Sequence, residues 1–349
     1  MRINTKGCAA AILGVALLGA SWATVGGEAP RVSAATAQAE LDALIRAAKS
    51  DGELLYYSTA TENVAKRSSD AFFAKYGVRA NYLRIGGARM RQRYSAEVEA
   101  GQVLADLILN AGGNTVEYAE EGIKKGYAES ISEAGIPVLR SGEFPARFVT
   151  GPTVIIQIAP WLFAYNTDKV KSTDLPKDWP GLLNPKFKGL FLLPHPDSAD
   201  SYMDLWSLLL DRYGEGFYKQ LRAQELRWSP GGVPGMQSLG AGEAAIYFPA
   251  VSAQVTSVSS KGAPLAMVTP DLTTGVEMQI MLSSRTKAKH GAAARLFANY
   301  LMSPEGNAVF NDDPGGMTVY DTSRLPKQYE SPKSGVMARR ALVNKLLGF

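Results

Sequence analysis

The residues best suited to chemistry are hydroxyls, glycines and arginines placed just beyond short apolar runs. Gly86-Gly87-Ala88-Arg89 opens a segment in which Met90, Tyr94 and Val98 recur at helical spacing and mark its core-facing side. Arg89, Arg91 and Arg93 then crowd the first turn and a half, where the helix dipole disfavours cations. An anion bound at that terminus resolves the conflict. Arg89 is the first candidate to meet it, because a guanidinium matches carboxylate or phosphate. The alternative is a solvated face, with Arg93 paired to Glu97 four residues on. Ser58-Thr59-Ala60-Thr61 follows another apolar run and presents hydroxyls and backbone N–H groups together, either for a ligand or as plain helix capping. Asn110-Ala111-Gly112-Gly113 lets another backbone or a ligand approach closely. Further on, Asp197 or Asp200 is expected to cap a helix, which leaves Ser198, Ser201 and Tyr202 as contacts. Trp161 and Tyr165 either line a cleft or pack a hinge, and packing is the expected use.

Catalytic patterns are weak by comparison. His195 and His290 are the only two histidines, far apart in sequence, and His290 is expected at the surface in a lysine-rich stretch. A Ser-His-Asp triad would have to use His195, and no GxSxG turn accompanies it. HExxH, paired Cys/His spacings and a phosphate-binding Walker loop are all missing. No catalytic residue, metal or cofactor is therefore expected.

These segments need elements to hold them. A chain of 349 residues exceeds what one core organises, so two lobes are expected. With 46% hydrophobic and 20% charged residues, it can bury enough apolar surface to fold. Arg2 and Lys6 flank the start of an uncharged apolar run at residues 8–20, and Ser21-Trp22-Ala23 has small residues where a signal peptidase cuts. A secretory leader over residues 1–23 is expected, with an alternative end at 34. Cleavage removes Cys8, the only cysteine, and takes Arg2 and Lys6 from the 37 basic residues, leaving 35 against 33 acidic ones. So even a balance argues against nucleic-acid binding or polybasic membrane adhesion.

Apolar runs at 54–57, 78–85 and 104–109 alternate with helical patterns over 37–50, 62–76 and 88–100, the signature of an α/β sheet with mostly parallel neighbours. Two β-rich pieces flank Ala159-Pro160, and the pattern restarts with strands at 190–193 and 244–248 and a helix over 201–212. Strand crossings near 153–165 and 264–275 would join the lobes, and 292–301 is a helix running into Ser303-Pro304-Glu305-Gly306.

Taken in order, LLYYSTATENVAKRSSDAFFAKYG, RMRQRYSAEVEAGQVLADLIL, WLFAYNTDKV, PKDWPGLLNPKFKGLFLLPHP, GAGEAAIYFPA and AAARLFANYLMSPEGNAVF resemble the extracellular solute-binding proteins of ABC importers, in their iron(III)-type branch. The resemblance spans roughly residues 52–315. It implies a two-lobed type II periplasmic binding protein fold of class α/β, each lobe a mixed sheet flanked by helices, with the ligand cleft between lobes. Lobe one would comprise 35–155 and 265–325, lobe two 156–264, and 326–349 a C-terminal helical segment. The resemblance also implies a monomer in the periplasm that closes on one small ligand and delivers it to an ABC permease in the inner membrane. Iron-binding members carry a tyrosine pair, a His or Tyr after the first strand and an acidic ligand. Here those places read Ser252-Ala253, Thr61 and Asn110-Ala111, which are not the anionic oxygens a ferric ion needs. A small anionic organic solute (a phosphonate, phosphorylated compound or carboxylate) is the expected ligand. It would be held by Ser58, Thr59, Gly87, Arg89, Asn110, Ser198, Ser201, Tyr202 and Ser252. A ferric chelate, or a secreted hydrolase on a similar scaffold, are the alternatives.

Overall fold

The structure is a computed structural model that describes residues 31–284, 288–313 and 316–349. The leader expected over 1–23 lies outside the described residues. Helix α1 (Ala34–Asp51), β1 (Glu53–Ser58), α2 (Glu62–Tyr76), β2 (Arg79–Arg84), α3 (Gly87–Glu99), β3 (Leu107–Ala111) and α4 (Thr115–Lys124) alternate through the first third. Then come β4 (Ala128–Glu129), the single turn α5 (Pro137–Arg140), β5 (Val149–Thr150) and β6 (Thr153–Pro160). The next stretch holds β7 (Leu162–Asn166), β8 (Phe191–Pro194), α6 (Ser201–Arg222), β9 (Arg227–Ser229), α7 (Gly232–Gly240), β10 (Ile246–Ala250), α8 (Ser252–Ser259) and β11 (Leu265–Val268). The chain ends with β12 (Leu272–Thr273), β13 (Gly275–Ser283), α9 (Gly291–Met302), α10 (Pro304–Phe310), β14 (Gln328–Tyr329) and α11 (Arg340–Leu347).

Two mixed sheets organise these elements. The first runs β2-β1-β3-β13-β6-β5, with β4 also on β13, and β1 lies parallel to both β2 and β3. Strand β13 is buried at all nine positions and pairs antiparallel with β3 and β6. The second runs β11-β7-β10-β8-β9, parallel from β10 to β9 and antiparallel at β7. Each sheet has an apolar cluster on both faces, so helices flank it on both sides. Among the described residues no helix is long and apolar enough to cross a membrane.

Local signals account for several boundaries. Ser33 caps α1 by accepting from the Thr36 N–H at 3.2 Å, and Gly77, at φ 70°, ends α2 in the left-handed conformation. Helix α6 is broken at Gly214, whose φ of 67° suits glycine, so its first part ends close to the expected 212 and a second part continues to Arg222. The chain leaves the first sheet at Pro160 and enters the second at Leu162. The return segment bonds the outgoing one there, Trp161 N–H to Thr274 O at 2.9 Å and Thr273 Oγ1 to Trp161 O at 3.0 Å. Strand β11 does not cross back near 265, because it pairs antiparallel with β7 at the edge of the second sheet. The segment 326–349 is only partly helical. Its Val336, Val343 and Leu347 join the second core, packing α11 on α6.

Candidate functional site

A cavity of about 130 Å³ lies between the sheets. The first sheet's side contributes Thr59, Thr61, Arg84, Gly87 and Gln157. The second contributes Ser198, Ser201, Tyr202, Gly232, Ser252 and Gln254, with Trp161 at the crossing. Five helices, α2, α3, α6, α7 and α8, begin at its wall. Their N-cap residues are Thr61, Gly86, Asp200, Gly231 and Val251, and none uses its side chain to accept a hydrogen bond from its helix. Their positive dipole ends therefore converge on one space, although the N–H groups of Val64, Tyr202, Met203 and Gln254 are already held in turns at the helix starts. Thr61 Oγ1 and Trp161 Nε1 are also buried with no hydrogen-bond partner among the described residues.

The individual side chains divide between scaffold and surface. Ser58 is fully buried and accepts from Ala60 N–H at 3.0 Å, so it shapes the β1–α2 turn instead of reaching the cavity. Thr59 lines the cavity, but its Oγ1 accepts from Ala111 N–H at 3.0 Å and so ties the ends of β1 and β3. Asn110 is buried beneath α3, donating to Thr115 Oγ1 at 2.9 Å, and a Cβ on Gly87 would lie 3.1 Å from its Oδ1. Ser198 lines the wall while donating to His195 O at 2.7 Å. The Tyr202 ring lies 5.2 Å from that of Trp161, and burial pushes its hydroxyl up to about 12 despite hydrogen bonds to Gln254 and Tyr247, so it stays a donor. A Cβ on Gly232 would sit 2.4 Å from Gln254 Nε2 and 2.8 Å from Tyr202 Oη, so any larger residue there would displace these two side-chain ends.

The arginine cluster resolves differently from the expectation. Arg89 is exposed and does not line the cavity. Arg93 bonds Glu97 Oε1 at 2.9 Å and the Tyr57 hydroxyl at 3.0 Å. Arg91 pairs with Asp200 across the cleft, and Arg340 of α11 takes the other oxygen of that carboxylate. Asn114 donates to it as well at 3.3 Å. Protein carboxylates thus supply the anions for two of the three crowded arginines, Arg91 and Arg93. Burial alone would raise Asp200, but Arg91 and Arg340 outweigh it and hold the carboxyl below its usual range. Asp200 occupies the N-cap position of α6 without capping it, because both oxygens are engaged elsewhere. Arg84, at the end of β2, is the one arginine or lysine on the cavity wall among the described residues. Sequence reasoning passed over it, although the rule that ligands sit beyond strand ends points there. Gln157, Gly232 and Gln254 also line the cavity without any local signal having singled them out, and Trp161 lines it as well as packing the crossing.

The histidines serve no common site. His195 stacks near Phe349, ring centroids 4.3 Å apart. His290 is not a free surface residue, since its Nδ1 lies 3.1 Å from Asp106 Oδ2 and its N–H donates to Oδ1 at 2.8 Å. Tyr247 is fully buried, and burial holds its hydroxyl well above the ordinary value.

Asp204, one turn into α6, gives the fold a pH-dependent stability. Burial, with Glu277 and Asp200 nearby, raises its carboxyl well above the ordinary value; the Gly113 N–H approaches it, yet neither oxygen has a well-formed hydrogen bond. A folded-state value above the unfolded one, about 4, means the stability it contributes is complete below that pH. It is lost as pH rises through the folded value. Glu277, also raised by burial, adds to the same slope. Asp204→Asn should therefore raise stability at pH 8 by about 1 kcal/mol or more and flatten the fall between pH 5 and pH 8. Thermal midpoints of both proteins across that range check it; parallel curves would refute the assignment.

Comparison with known proteins agrees with this architecture. The family model described as "Bacterial extracellular solute-binding protein" matches residues 54–313. The chain belongs to that family. A substrate-binding protein of an ABC transporter from Agrobacterium tumefaciens superposes with a TM-score of 0.70 at 17% identity, over 84% of this chain and 94% of that one. The periplasmic binding protein AfuA from Actinobacillus pleuropneumoniae, solved with fructose-6-phosphate, gives 0.61 at 20% identity, over 84% and 97%. Iron-bound HitA from Pseudomonas aeruginosa gives 0.63 at 16%, over 85% and 99%.

Proposed function

We propose that this protein is the periplasmic binding component of an ABC importer and captures a small anionic organic solute between its lobes. The observation that carries the ligand class is the convergence of five helix N-termini, uncapped by their N-cap side chains, on one cavity. Such a field favours negative charge, and the N–H groups satisfy phosphate or carboxylate oxygens. Arg84 supplies the formal positive charge. Trp161 Nε1, Thr61, Ser201, Tyr202 and Ser252 supply neutral hydrogen bonds from both sides, so one ligand bridges the lobes and favours their closure. The ABC transporter of the Agrobacterium structure and the phosphorylated sugar of AfuA support this reading by analogy. Binding makes and breaks no bond, and a permease in the inner membrane would receive the solute.

A thermal-shift screen with phosphonates, phosphate esters and carboxylates tests the ligand class, because a solute that binds only the folded state raises the midpoint by mass action. Arg84→Ala should weaken the best anion about tenfold, the loss expected of one charge-assisted contact. The exposed Arg84 leaves the free protein's midpoint unchanged. Arg89→Ala is the matched control and should bind normally. No shift with any anion, or an undiminished affinity in Arg84→Ala, would overturn the reading.

A further inference from the structure

A second cavity of about 570 Å³ adjoins the first between the same two lobes. Its floor is apolar, built from Pro160 and Leu162 at the outgoing crossing, Met267 on β11, and Met317 and Leu325 from the segment after α10. The rim is polar and carries Asp271, Arg324 and Lys327. Ser252 and Met317 line both cavities, so the two spaces share a wall. Arg324, on the second cavity, also donates to the carbonyl of Gly316, on the first.

The two spaces differ in chemistry. The first is small and edged by helix N-termini, which suits a charged head. The second is larger, apolar below and cationic by one charge at its rim. We propose that the solute is an organic phosphate, phosphonate or carboxylate whose body of several carbon atoms lies in this second cavity, with a further acceptor group near Lys327 and Arg324. The proposal rests on the reading of the cleft above and narrows it, excluding a bare oxyanion as the ligand. Apolar surface on the body is buried against Leu162 and Leu325. The thioethers of Met267 and Met317 are unbranched and adapt to its outline. A site with an apolar body and a few placed polar groups is how small-molecule pockets combine affinity with orientation.

Calorimetry on paired probes tests it: methylphosphonate and acetate as bare heads, phenylphosphonate, glucose 6-phosphate and adipate as heads with bodies. The expected result is that the best bodied probe binds at least tenfold tighter than its bare counterpart. Met267→Trp, which fills the second cavity from a half-buried strand position, should remove that gain and leave the bare head's affinity unchanged. Lys327 is exposed, so Lys327→Ala is safe for folding; it should cost the bodied probe about threefold and the bare head nothing. Equal binding of bare and bodied probes, or bodied probes indifferent to both variants, overturns the proposal while the anion reading stands. If no probe of either kind binds, the anion reading falls, and this proposal with it.

Discussion

Asp200→Asn is expected to lower the thermal midpoint by roughly 5 °C and to weaken solute binding about tenfold. Its carboxylate is the hub of an ion network drawn from three parts of the chain, Arg91 on α3, Arg340 on α11 and Asp200 itself at the start of α6. The carboxylate is 2% exposed, against 22% and 31% for the two arginine side chains. Removing one partner from a buried network leaves its counterparts unpaired, which costs several kcal/mol when all are dry. Partial exposure of the guanidiniums reduces this to about 2–3 kcal/mol. The bond to Arg91 joins the two lobes, whereas the bond to Arg340 stays on the second-lobe side. Losing the first lowers the population of the closed, binding-competent form, and apparent affinity falls in proportion. Arg340→Ala should accordingly lower the midpoint while leaving affinity within about twofold of the parent. Small-angle scattering of Asp200→Asn should show a larger radius of gyration without ligand. An unchanged radius together with unchanged affinity would mean that the ion pair does not fasten the lobes. Acid acts in the same direction. The depressed Asp200 carboxyl contributes stability above the ordinary carboxylate range, and that contribution is lost as pH falls through its folded value.

Gly306→Ala should produce the largest loss of stability from a single methyl group, about 3 kcal/mol or more. A Cβ at this position would lie 1.9 Å from the carbonyl oxygen of Tyr300 and 2.6 Å from its carbonyl carbon. Both are backbone atoms, so no rotamer change relieves the clash. The surroundings do not yield either. Tyr300 is fully buried against Phe72 and Tyr76, and the adjacent Asn307 donates from Nδ2 to Ile156 O at 2.8 Å and to Leu301 O at 3.1 Å. Urea unfolding measures the loss. A difference below about 1 kcal/mol would show that the α9–α10 corner moves freely.

That corner also marks how much could be read without coordinates. Ser303-Pro304 announces a helix start chemically, and Ser303 Oγ does accept from Gly306 N–H at 3.2 Å. Helix α2 falls on its expected residues, because its apolar spacing and its terminating glycine act within one segment. Strands β1, β2, β3 and β6 were legible for the same reason, whereas β13, at the centre of the first sheet, was not, because it is buried at every position and shows no alternation. Shorter elements were not legible either: α7 and α8 have weak local patterns and are stabilised by the sheet they cover, and α4, though amphipathic, is only ten residues long. Of the residues proposed to hold the ligand, Thr59, Gly87, Ser198, Ser201, Tyr202 and Ser252 line the cavity, since each sits beyond a strand or at a helix start. Ser58, Arg89 and Asn110 do not, because a position after a strand does not say which way its side chain turns.

By itself, the amino-acid sequence determined the alternation of strands and helices, the two-lobed α/β class and the segments that reach the cleft, because these follow from periodicity and punctuation over a few residues. Only the tertiary structure decided which charges meet. Asp200 lies more than a hundred residues from both Arg91 and Arg340, and whether an arginine pairs with a protein carboxylate or waits for a solute depends on distances between segments that no local pattern encodes.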